Sequence, residues 1–491
     1  MSSWSVLVAN RGEIALRVIR ACRELGMRAV AVYAPVDRQA PHVAMADAAF
    51  RLPGDRPEES YLNIAALIEV ARRAGVQAVH PGYGFLAENP TFAAACEEAG
   101  LRFVGPPPGV LALCGDKART RERLAAAGVP VLPGTGSISD EHIVTAAGRV
   151  GFPLLIKAAG GGGGKGIHLV RTAEELPSMA RLARGEAKAA FGDERIYLER
   201  WLAGARHIEV QILADSSGQV VALGERECSV QRRHQKLIEE SPAPGLDGAL
   251  RARMHEAAIA GARAIGYVNA GTFEFLVQGH QFYFLEVNAR LQVEHPVTEM
   301  VTGLDLVAEQ FRIAQRGRFG AEAGRARPQG HAIECRISAE DPHEGFLPSV
   351  GRVEDVAHPG GPGIRVDSGI VPGMDVTRFY DPLLAKVVAW APSRAEAVAK
   401  MRRALQEMAV AGIATTIPFH LWALGEPAFL DGEYDTHFVT RWEERRPGEE
   451  HVITAVLAAA ALTYFDAQRM QLPAAGSARH WLRMAREEGL R

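Results

Sequence analysis

The clearest sequence signal lies in residues 284–296, which read FLEVNARLQVEHP. An apolar strand pattern carries Glu286, Asn288 and Arg290 at alternate positions, so one face of a strand would present all three side chains. The alternate positions after Arg290 would follow on that face for as far as the strand continues. Alternating polar residues usually face solvent. Here the flanks are strongly apolar. The face, followed as far as Glu294, combines two acids (Glu286 and Glu294), an amide and a guanidinium in place of lysine, threonine and serine. The stretch therefore favours a functional site built on a sheet.

A further acid, Glu274, stands between two phenylalanines in the preceding strand pattern. Hard oxygen ligands such as Glu274, Glu286 and Asn288 suit Mg²⁺, or Mn²⁺ in its place, bridging nucleotide phosphates. Phosphoryl transfer requires such a metal because the negative charge on the transferring group must be neutralised. The pattern predicts an enzyme that uses a magnesium–nucleotide complex.

A glycine run, GGGGGKG at residues 160–166, lies tightly between apolar strand patterns at 153–156 and 167–170. Glycine backbone can fold over phosphates and direct its N–H groups at them. A Walker A loop is excluded because no Gly-Lys-Ser/Thr opens a helix. A flexible linker is the alternative, but linkers usually contain serine and other polar residues. The run is interpreted as a phosphate-covering loop. Lys157, beside it, would neutralise phosphate or extend its ammonium to solvent.

The first part of the chain alternates strand and helix patterns. We predict strands at 5–9, 29–33 and 78–80 and helices at 13–25, 61–74 and 91–99. Glycines just beyond the helix patterns are typical stop signals. This order with short loops predicts a parallel, doubly wound sheet. The turn ANRGE lacks the glycine spacing of a dinucleotide fingerprint, so this domain is interpreted as scaffold, with its turn at 80–84 facing the active cleft.

Two further regions and a tail follow. The central region shows strand patterns of the antiparallel type at 196–200, 207–214, 220–225, 271–277 and 281–288. The third region contains short strands between Gly and Pro turns and one strong helix at 394–410, which predicts a mixed α/β domain. The tail is rich in alanine and leucine and is predicted to be helical.

A cluster of charged residues occupies positions 225–236, which read ERECSVQRRHQK. Taken alone, the pattern is typical of a solvated hairpin. The same interpretation applies to Glu199 and His207, which lie near predicted strand ends. The pattern by itself leaves open whether these residues belong to a site.

Composition restricts the class of protein. A formal net charge of −3 argues against a nucleic-acid-binding surface or an anionic-membrane clamp. Five cysteines without metal-binding spacing indicate free thiols in a reducing compartment. No leader pattern precedes the first strand, and the most apolar stretch, 453–462, is too short to span a bilayer. We therefore expect a cytoplasmic protein that binds neither nucleic acid nor membrane.

Several motifs follow one another along the chain. They are ANRGEIA (9–15), HPGYGFL (80–86), GDK (115–117), the glycine run, QRRHQK (231–236) and EVNARLQVEHP (286–296). This ordered set resembles the biotin carboxylase family of the ATP-grasp superfamily, from residue 4 to about residue 446. The resemblance implies an N-terminal domain (1–115), an ATP-grasp domain (116–316) with a glycine-rich lid at about 131–203, a C-terminal domain (330–446) and a helical tail (447–491).

The resemblance also implies roles for individual residues. Those that would surround ATP are Lys117, Lys157, Gly163, Gly164, Glu199, Leu202, His207, Gln231, His234, Glu274 and Glu286. The metal ligands would be Glu274, Glu286 and Asn288. Bicarbonate would be held by Lys236, Arg290, Gln292 and the backbone of Val293. Biotin would meet Tyr83 and Arg336. The catalytic set would be Lys236, Arg290, Arg336 and Glu294, the last as general base.

The implied reaction is ATP-dependent carboxylation of biotin by bicarbonate through carboxyphosphate, the first half-reaction of an acyl-CoA or pyruvate carboxylase. No Ala-Met-Lys-Met biotin-attachment motif occurs, so the biotin carboxyl carrier would be a separate polypeptide or part of a longer product. A carboxyltransferase would be the other partner. Arg20, Glu24 and Arg365 match the family's dimer interface, which predicts a homodimer or a larger hetero-oligomer. Two alternatives stay open: another ATP-grasp ligase that joins a carboxylate to an amine, and a non-catalytic nucleotide-binding regulatory subunit.

Overall fold

A computed structural model of the chain describes residues 4–139, 141–160 and 166–444. Within these ranges, no helix combines the length and the apolar character that crossing a membrane requires. The predicted helical tail (447–491) lies outside the described residues.

The N-terminal part is built on a five-stranded sheet in the order β3-β2-β1-β4-β5, and all its strand pairs are parallel. Its strands are β1 (Ser5–Val8), β2 (Arg28–Tyr33), β3 (Ala48–Arg51), β4 (Ala78–His80) and β5 (Arg102–Phe103). Its helices are α1 (Gly12–Glu24), α2 (Pro41–Met45), α3 (Ile64–Ala74), α4 (Pro90–Glu98) and α5 (Pro108–Gly115), with short 3₁₀ turns at Pro35–Asp37 and Pro57–Glu59. The predicted parallel α/β architecture is confirmed.

One helix of this part begins later than the sequence pattern predicts. The helix predicted from residue 61 begins at Ile64, because the side chain of Asn63 accepts the N–H of Ala66 and caps the helix there. Tyr61 lies in the core instead, fully buried.

A small antiparallel sheet flanks the glycine run. The elements of this segment are α6 (Lys117–Ala126), α7 (Ile143–Val150), β6 (Leu154–Ala158), β7 (Ile167–Val170), α8 (Leu176–Phe191) and β8 (Ile196–Arg200). The strands pair in the order β7-β6-β8. An apolar cluster that includes Ile156, Ala183 and Leu198 holds α7 and α8 on this sheet.

The remaining elements form the central and C-terminal parts of the described chain. Those of the central part are β9 (Arg206–Ala214), β10 (Val220–Arg232), β11 (Gln235–Ser241), α9 (Gly248–Ala264), β12 (Asn269–Gln278), β13 (Gln281–Asn288), α10 (His295–Thr302) and α11 (Leu306–Arg316). Those of the C-terminal part are β14 (His331–Ser338), β15 (Glu340–Asp341), β16 (Leu347–Pro348), β17 (Gly351–Arg352), β18 (Asp355–Ala357), β19 (Ile364–Ser368), β20 (Asp375–Val376), β21 (Leu383–Ala391), α12 (Arg394–Glu407), β22 (Ala409–Ala411), α13 (Ile417–Ala423), α14 (Pro427–Leu430) and α15 (Thr440–Glu444).

One eight-stranded antiparallel sheet joins the central and C-terminal parts, in the order β13-β12-β9-β10-β11-β14-β21-β19. The junction is the pairing of β11 with β14, which sets Glu239 opposite Glu334. An apolar core extends from the parallel sheet, through residues such as Val30 and Val79, to Phe273 and Phe275 of the large sheet. The sheet thus carries side chains from both parts toward one region.

The helix predicted over 394–410 is wrong at its end. It stops at Glu407 because Met408 adopts an extended backbone, with φ −76° and ψ 126°. Residues Ala409–Ala411 form β22, which pairs with β18. Backbone pairing outweighs helical propensity here.

A buried ion cluster around Glu240 stabilises the C-terminal end of β11. Its carboxylate contacts His331 Nε2 at 2.5 Å and accepts hydrogen bonds from Arg394 Nε at 2.7 Å and from the hydroxyl of Tyr434. Burial alone would raise the pKa of Glu240, but His331 and Arg394 outweigh it and lower the pKa from 4.5 to about 2.

Replacing this carboxylate should reduce stability at neutral pH. We expect Glu240→Gln to lower the free energy of unfolding by about 3–5 kcal/mol at pH 7, because it leaves the partly buried Arg394 without its counter-charge. The folded-state pKa lies below the unfolded-state value, so the contribution is present above pH 4.5 and is lost as the pH falls toward about 2. Denaturant unfolding from pH 7 downward measures the difference. A difference that does not shrink on acidification would contradict this account. Glu396→Gln, on the exposed face of α12, is the control.

Candidate active site

Three carboxylates surround one buried ammonium on the inner face of the large sheet. Lys236 of β11 donates hydrogen bonds to Glu274 Oε1 at 2.8 Å, to Glu294 Oε1 at 2.7 Å and to Glu209. Burial would lower the pKa of Lys236, but the three carboxylates outweigh it and hold the pKa well above its ordinary value. Lys236 therefore carries a permanent positive charge.

Glu294 is held between two cations. Its second oxygen, Oε2, accepts a hydrogen bond from Arg336 Nη2 at 2.9 Å, and its side chain is fully buried. Burial would raise the pKa of Glu294, but Lys236, Arg336 and Arg226 outweigh it and hold the pKa well below its ordinary range. The carboxylate is ionised and points at the only two cations that donate to it among the described residues.

Arg290 lies in the turn between β13 and α10, and three side chains fix its guanidinium. It donates to Glu88 Oε2 at 2.9 Å, to Gln292 Oε1 at 3.0 Å and to Asn288 Oδ1 at 3.0 Å. Glu88 comes from the N-terminal part, so this part contributes directly to the site. The planar guanidinium is oriented before any ligand binds.

The prediction that one strand face carries Glu286, Asn288 and Arg290 is wrong for Arg290, which lies beyond the last strand residue, Asn288. The strand ends there, and the chain turns through residues 289–294 into α10, with Pro296 near the start of that helix. The turn nevertheless brings Gln292 to Glu274, with Nε2 at 3.2 Å from Oε1. The solvent-facing alternative does not apply, because Gln292, Asn288 and Glu294 are buried.

The predicted metal ligands lie at the other side of Lys236. Glu274 and Glu286 are directly opposite each other in the pairing of β12 with β13. Asn288 Nδ2 donates to Glu274 Oε1 at 2.7 Å, and Lys117 Nζ donates to Glu286 Oε2 at 2.5 Å. Burial opposes ionisation of Glu274, yet Lys236 and His207 hold its pKa well below the ordinary value. Two carboxylates and an amide form an oxygen-rich ligand set that fits Mg²⁺.

Four of the residues predicted to surround ATP form two contacting pairs, Lys157 with Glu199 and His207 with Gln231. Lys157 of β6 and Glu199 of β8 form a buried ion pair across neighbouring strands, and the second oxygen of Glu199 lies 3.7 Å from Arg121 Nε. His207 lies next to the acids, with Nε2 3.0 Å from Glu274 Oε2 and Nδ1 3.1 Å from the amide nitrogen of Gln231.

Two other predicted ATP residues lie nearer to solvent. Leu202 is half-buried just after β8, and His234 is exposed in the turn between β10 and β11 with φ +66°. Gly163 and Gly164 lie outside the described residues.

The interpretation of the 225–236 cluster as a solvated hairpin is wrong for most of its length. The strand β10 extends to Arg232, and Gln231 and Lys236 are buried. Only the turn between the two strands faces solvent. Buried partners from neighbouring strands, which a local pattern does not contain, explain the difference.

The predicted biotin residues lie on either side of the turn that carries Glu294. The hydroxyl of Tyr83 donates to Glu13, at the start of α1. Arg336 Nε donates to Glu239 Oε1 at 2.6 Å. The carbonyl of Val293, in the turn itself, accepts a hydrogen bond from Lys386 Nζ at 2.9 Å.

Several residues of the cluster escaped the sequence analysis. Arg226 is fully buried and donates to Glu209 and, at 2.7 Å, to Gln211. Glu209 and Gln211 follow His207 at alternate positions of β9, the same signal that singled out Glu286 and Asn288, and this signal could have found both. Glu239 and Glu88 carried no local signal. Burial raises the pKa of Glu239 to about 7 despite the charge of Arg336.

Known proteins match this chain along most of its length. Residues 2–111 match the family model of the biotin carboxylase N-terminal domain, and residues 334–441 match that of the biotin carboxylase C-terminal domain. Residues 116–320 match the ATP-binding domain of the carbamoyl-phosphate synthase L chain. Biotin carboxylase 1 of Bacillus subtilis is 48% identical over 442 residues, which cover 89% of this chain and 98% of the relative. The chain belongs to the biotin carboxylase family.

Other biotin carboxylase family members extend the comparison. A pyruvate carboxylase subunit of Methanothermobacter thermautotrophicus is 47% identical over 439 residues, which cover 89% of each chain. The biotin carboxylase domain of 2-oxoglutarate carboxylase from Hydrogenobacter thermophilus was solved as a dimer with MgADP, ADP and bicarbonate. It superposes with a TM-score of 0.87 at 44% identity, covering 90% of this chain and 98% of that one. The three-part architecture is therefore that of biotin carboxylases.

Proposed function

We propose that this chain uses ATP and bicarbonate to carboxylate biotin on a separate carrier protein, as the first half-reaction of a biotin-dependent carboxylase. The observation that supports this most directly is the position of Glu294 between Lys236 and Arg336. Lys236 also contacts Glu274, which lies opposite Glu286 in the strand pairing. Such an arrangement would bring an anion site, a general base and a metal-compatible acid pair close together.

Bicarbonate is a weak nucleophile, so its activation requires both orientation and removal of a proton. Lys236 and Arg290, with Gln292 and the Val293 backbone, would hold the small anion by charge-assisted hydrogen bonds. Glu294 would accept the bicarbonate proton as the anion's oxygen attacks the γ-phosphorus and ADP leaves. The carboxyphosphate formed breaks down to CO₂ and phosphate.

The second stage needs a nucleophilic biotin. The ureido nitrogen of biotin is a very weak acid. The phosphate released from carboxyphosphate would take its proton, and that loss places negative charge on the ureido oxygen. The Arg336 guanidinium would stabilise that charge as an oxyanion hole does, and the nitrogen would then attack CO₂. Tyr83, beside the same turn, would line the biotin site.

Substrate binding would also tune the base. A carboxylate paired with two cations is a weak base, since its pKa is held well below the ordinary range. Bicarbonate would draw Lys236 away from Glu294, and biotin would draw Arg336 away. Each loss of a cation raises the carboxylate's proton affinity. Glu294 would therefore become a stronger base when its substrates are present.

Nucleotide binding would use the two acid-bearing strands. Glu274, Glu286 and Asn288 would hold Mg²⁺, which neutralises charge on the ATP phosphates. Around the nucleotide we place Lys117, Lys157, Gly163, Gly164, Glu199, Leu202, His207, Gln231 and His234. Lys117 would exchange its contact with Glu286 for a phosphate.

The partners follow from the chemistry. Carboxybiotin must be carried on a biotin carboxyl carrier protein or domain and be used by a carboxyltransferase, which selects the acyl-CoA or 2-oxo acid acceptor. The family relatives include a subunit of pyruvate carboxylase and a domain of 2-oxoglutarate carboxylase, and the latter was solved as a dimer. We propose a homodimer within such a complex. Five free, buried cysteines suit a cytoplasmic location.

The proposal is tested by ATP hydrolysis with purified chain, Mg²⁺, bicarbonate and free biotin. We expect hydrolysis to require bicarbonate and to rise when biotin is added, with carboxybiotin formed from labelled bicarbonate. An ATP-grasp ligase that joins a carboxylate to an amine would hydrolyse ATP independently of biotin, and a regulatory subunit would not turn over ATP. Either result would overturn the proposed function.

A further inference from the structure

A second buried ammonium, outside the cluster described above, contacts the turn that carries Glu294. Lys386 of β21 is fully buried. Its Nζ donates to the carbonyl of Val293 at 2.9 Å, lies 3.2 Å from Glu13 Oε2 and lies 3.9 Å from Asp367 Oδ2. Burying an ammonium costs free energy unless its partners are well placed, so a buried lysine at this position indicates a structural or functional role.

The partners of Lys386 come from three separate parts of the chain. Glu13 begins α1 of the N-terminal part, Asp367 belongs to β19 of the C-terminal part, and Val293 lies in the turn between β13 and α10. A single charged group thus fixes the relative position of these three segments. Among them, only the Val293 turn carries predicted bicarbonate ligands.

The bond to Val293 fixes one peptide plane of that turn. The carbonyl oxygen of Val293 belongs to the peptide that joins Val293 to Glu294. Holding it sets the direction in which the Glu294 side chain leaves the backbone, and it limits how far Gln292 can move. A shift of about 1 Å at such a position is enough to lower activity strongly.

The contact with Glu13 leads to the predicted biotin side. Glu13 accepts a hydrogen bond from the hydroxyl of Tyr83, and the Tyr83 ring centroid lies 5.9 Å from Lys386 Nζ. Lys386 therefore directly contacts the turn of residues 289–294, called the bicarbonate turn below because it carries the predicted bicarbonate ligands. It reaches Tyr83 both through Glu13 and across the ring face.

We propose that Lys386 is a positioning residue that sets the bicarbonate turn and Tyr83 together, so that the bicarbonate and biotin sites keep a fixed relation. The inference rests on the proposed function. It assigns to Lys386 no contact with either substrate. The nucleotide residues do not depend on Lys386, since none of its contacts among the described residues leads to Lys117, Lys157 or Glu286.

The test is Lys386→Met in the full chain, with separate kinetic constants for each substrate. We expect the KM for bicarbonate and the KM for free biotin to rise about tenfold or more, while the KM for ATP stays within about twofold of wild type. Equal changes in all three constants, or no change in any, would overturn the proposal.

Arg394→Met is the matched control, because it removes another ion-paired cation from the C-terminal part, where Arg394 pairs with Glu240. This variant should lose thermal stability without a selective rise in the bicarbonate and biotin KM values. The same selective rise in Arg394→Met would show that general loosening explains the effect, and the proposal would fail.

A second variant separates the contact of Lys386 with Val293 from its contact with Tyr83 through Glu13. It also covers the case in which Lys386→Met does not fold. Glu13→Ala removes the hydrogen-bonded link to Tyr83 and leaves both the bond to Val293 and the contact of Lys386 with the Tyr83 ring. We expect a higher KM for biotin with an unchanged KM for bicarbonate, and a KM for biotin equal to wild type would overturn the proposal. A wild-type chain without biotin-stimulated ATP hydrolysis would instead overturn the proposed function, so the two failures are distinct.

Discussion

Glu294→Gln should reduce bicarbonate-dependent ATP hydrolysis by about 100- to 10,000-fold, the usual contribution of a general base. The amide keeps the shape of the side chain but cannot accept the bicarbonate proton. It also leaves Lys236 and Arg336 without the charge that now lies between them. The measurement is kcat at saturating ATP and bicarbonate, with ATP binding followed separately by the KM for ATP, which should change little.

A matched carboxylate elsewhere in the same sheet controls for loss of stability. Glu240 is as buried as Glu294 and is also held by two basic side chains, His331 and Arg394, but it lies outside the cluster around Lys236. Glu240→Gln should destabilise the chain and yet retain kcat in the fraction that stays folded. If Glu294→Gln hydrolyses ATP as fast as Glu240→Gln does, Glu294 is not the base.

Arg336→Met should separate the two stages of the reaction. We expect carboxybiotin formation to fall by about 100- to 1,000-fold, the effect of removing one oxyanion-stabilising group. Bicarbonate-dependent ATP hydrolysis without biotin should persist, because Glu294 keeps Lys236 and loses only one of its two cations. Labelled bicarbonate measures carboxybiotin, and phosphate release measures hydrolysis in the same sample.

The contrast between the two activities is the decisive quantity for Arg336. A fall of equal size in both activities would mean that the arginine supports the cluster as a whole and does not act on biotin. Arg394→Met serves again as the paired-arginine control and should preserve the ratio of the two activities.

Local patterns located many elements of the fold, although β3 and β5 of the parallel sheet had no predicted counterpart. Strands at 196–200 and 281–288 have the bounds that alternation predicts, and the parallel N-terminal sheet follows from its strand–helix order. The errors fall where a non-local contact overrides the pattern, as in the pairing of β22 with β18 that ends helix α12.

The active site was only partly predictable for a similar reason. Motif order led to the prediction that Lys236, Arg290 and Glu294 act together, but it could not show that one lysine contacts three acids from separate segments. Glu88 and Glu239 belong to unremarkable stretches, and only the fold brings them to Arg290 and Arg336. The solvated-hairpin interpretation of 225–236 failed because the strands that bury this segment lie elsewhere in the sequence.

The pairing of β11 with β14 limits how this chain can be recombined with its relatives. Arg336 and Glu239 lie on these two adjacent strands, so the arginine proposed to meet biotin and the Lys236 strand form one continuous hydrogen-bonded structure. A chimaera joined between residues 316 and 330 would be cut in a connecting segment. Its β11 and β14 would nevertheless come from two different sequences and would still have to pair. A protein engineer who wishes to exchange the C-terminal part must therefore transplant the facing residues of β11 with it.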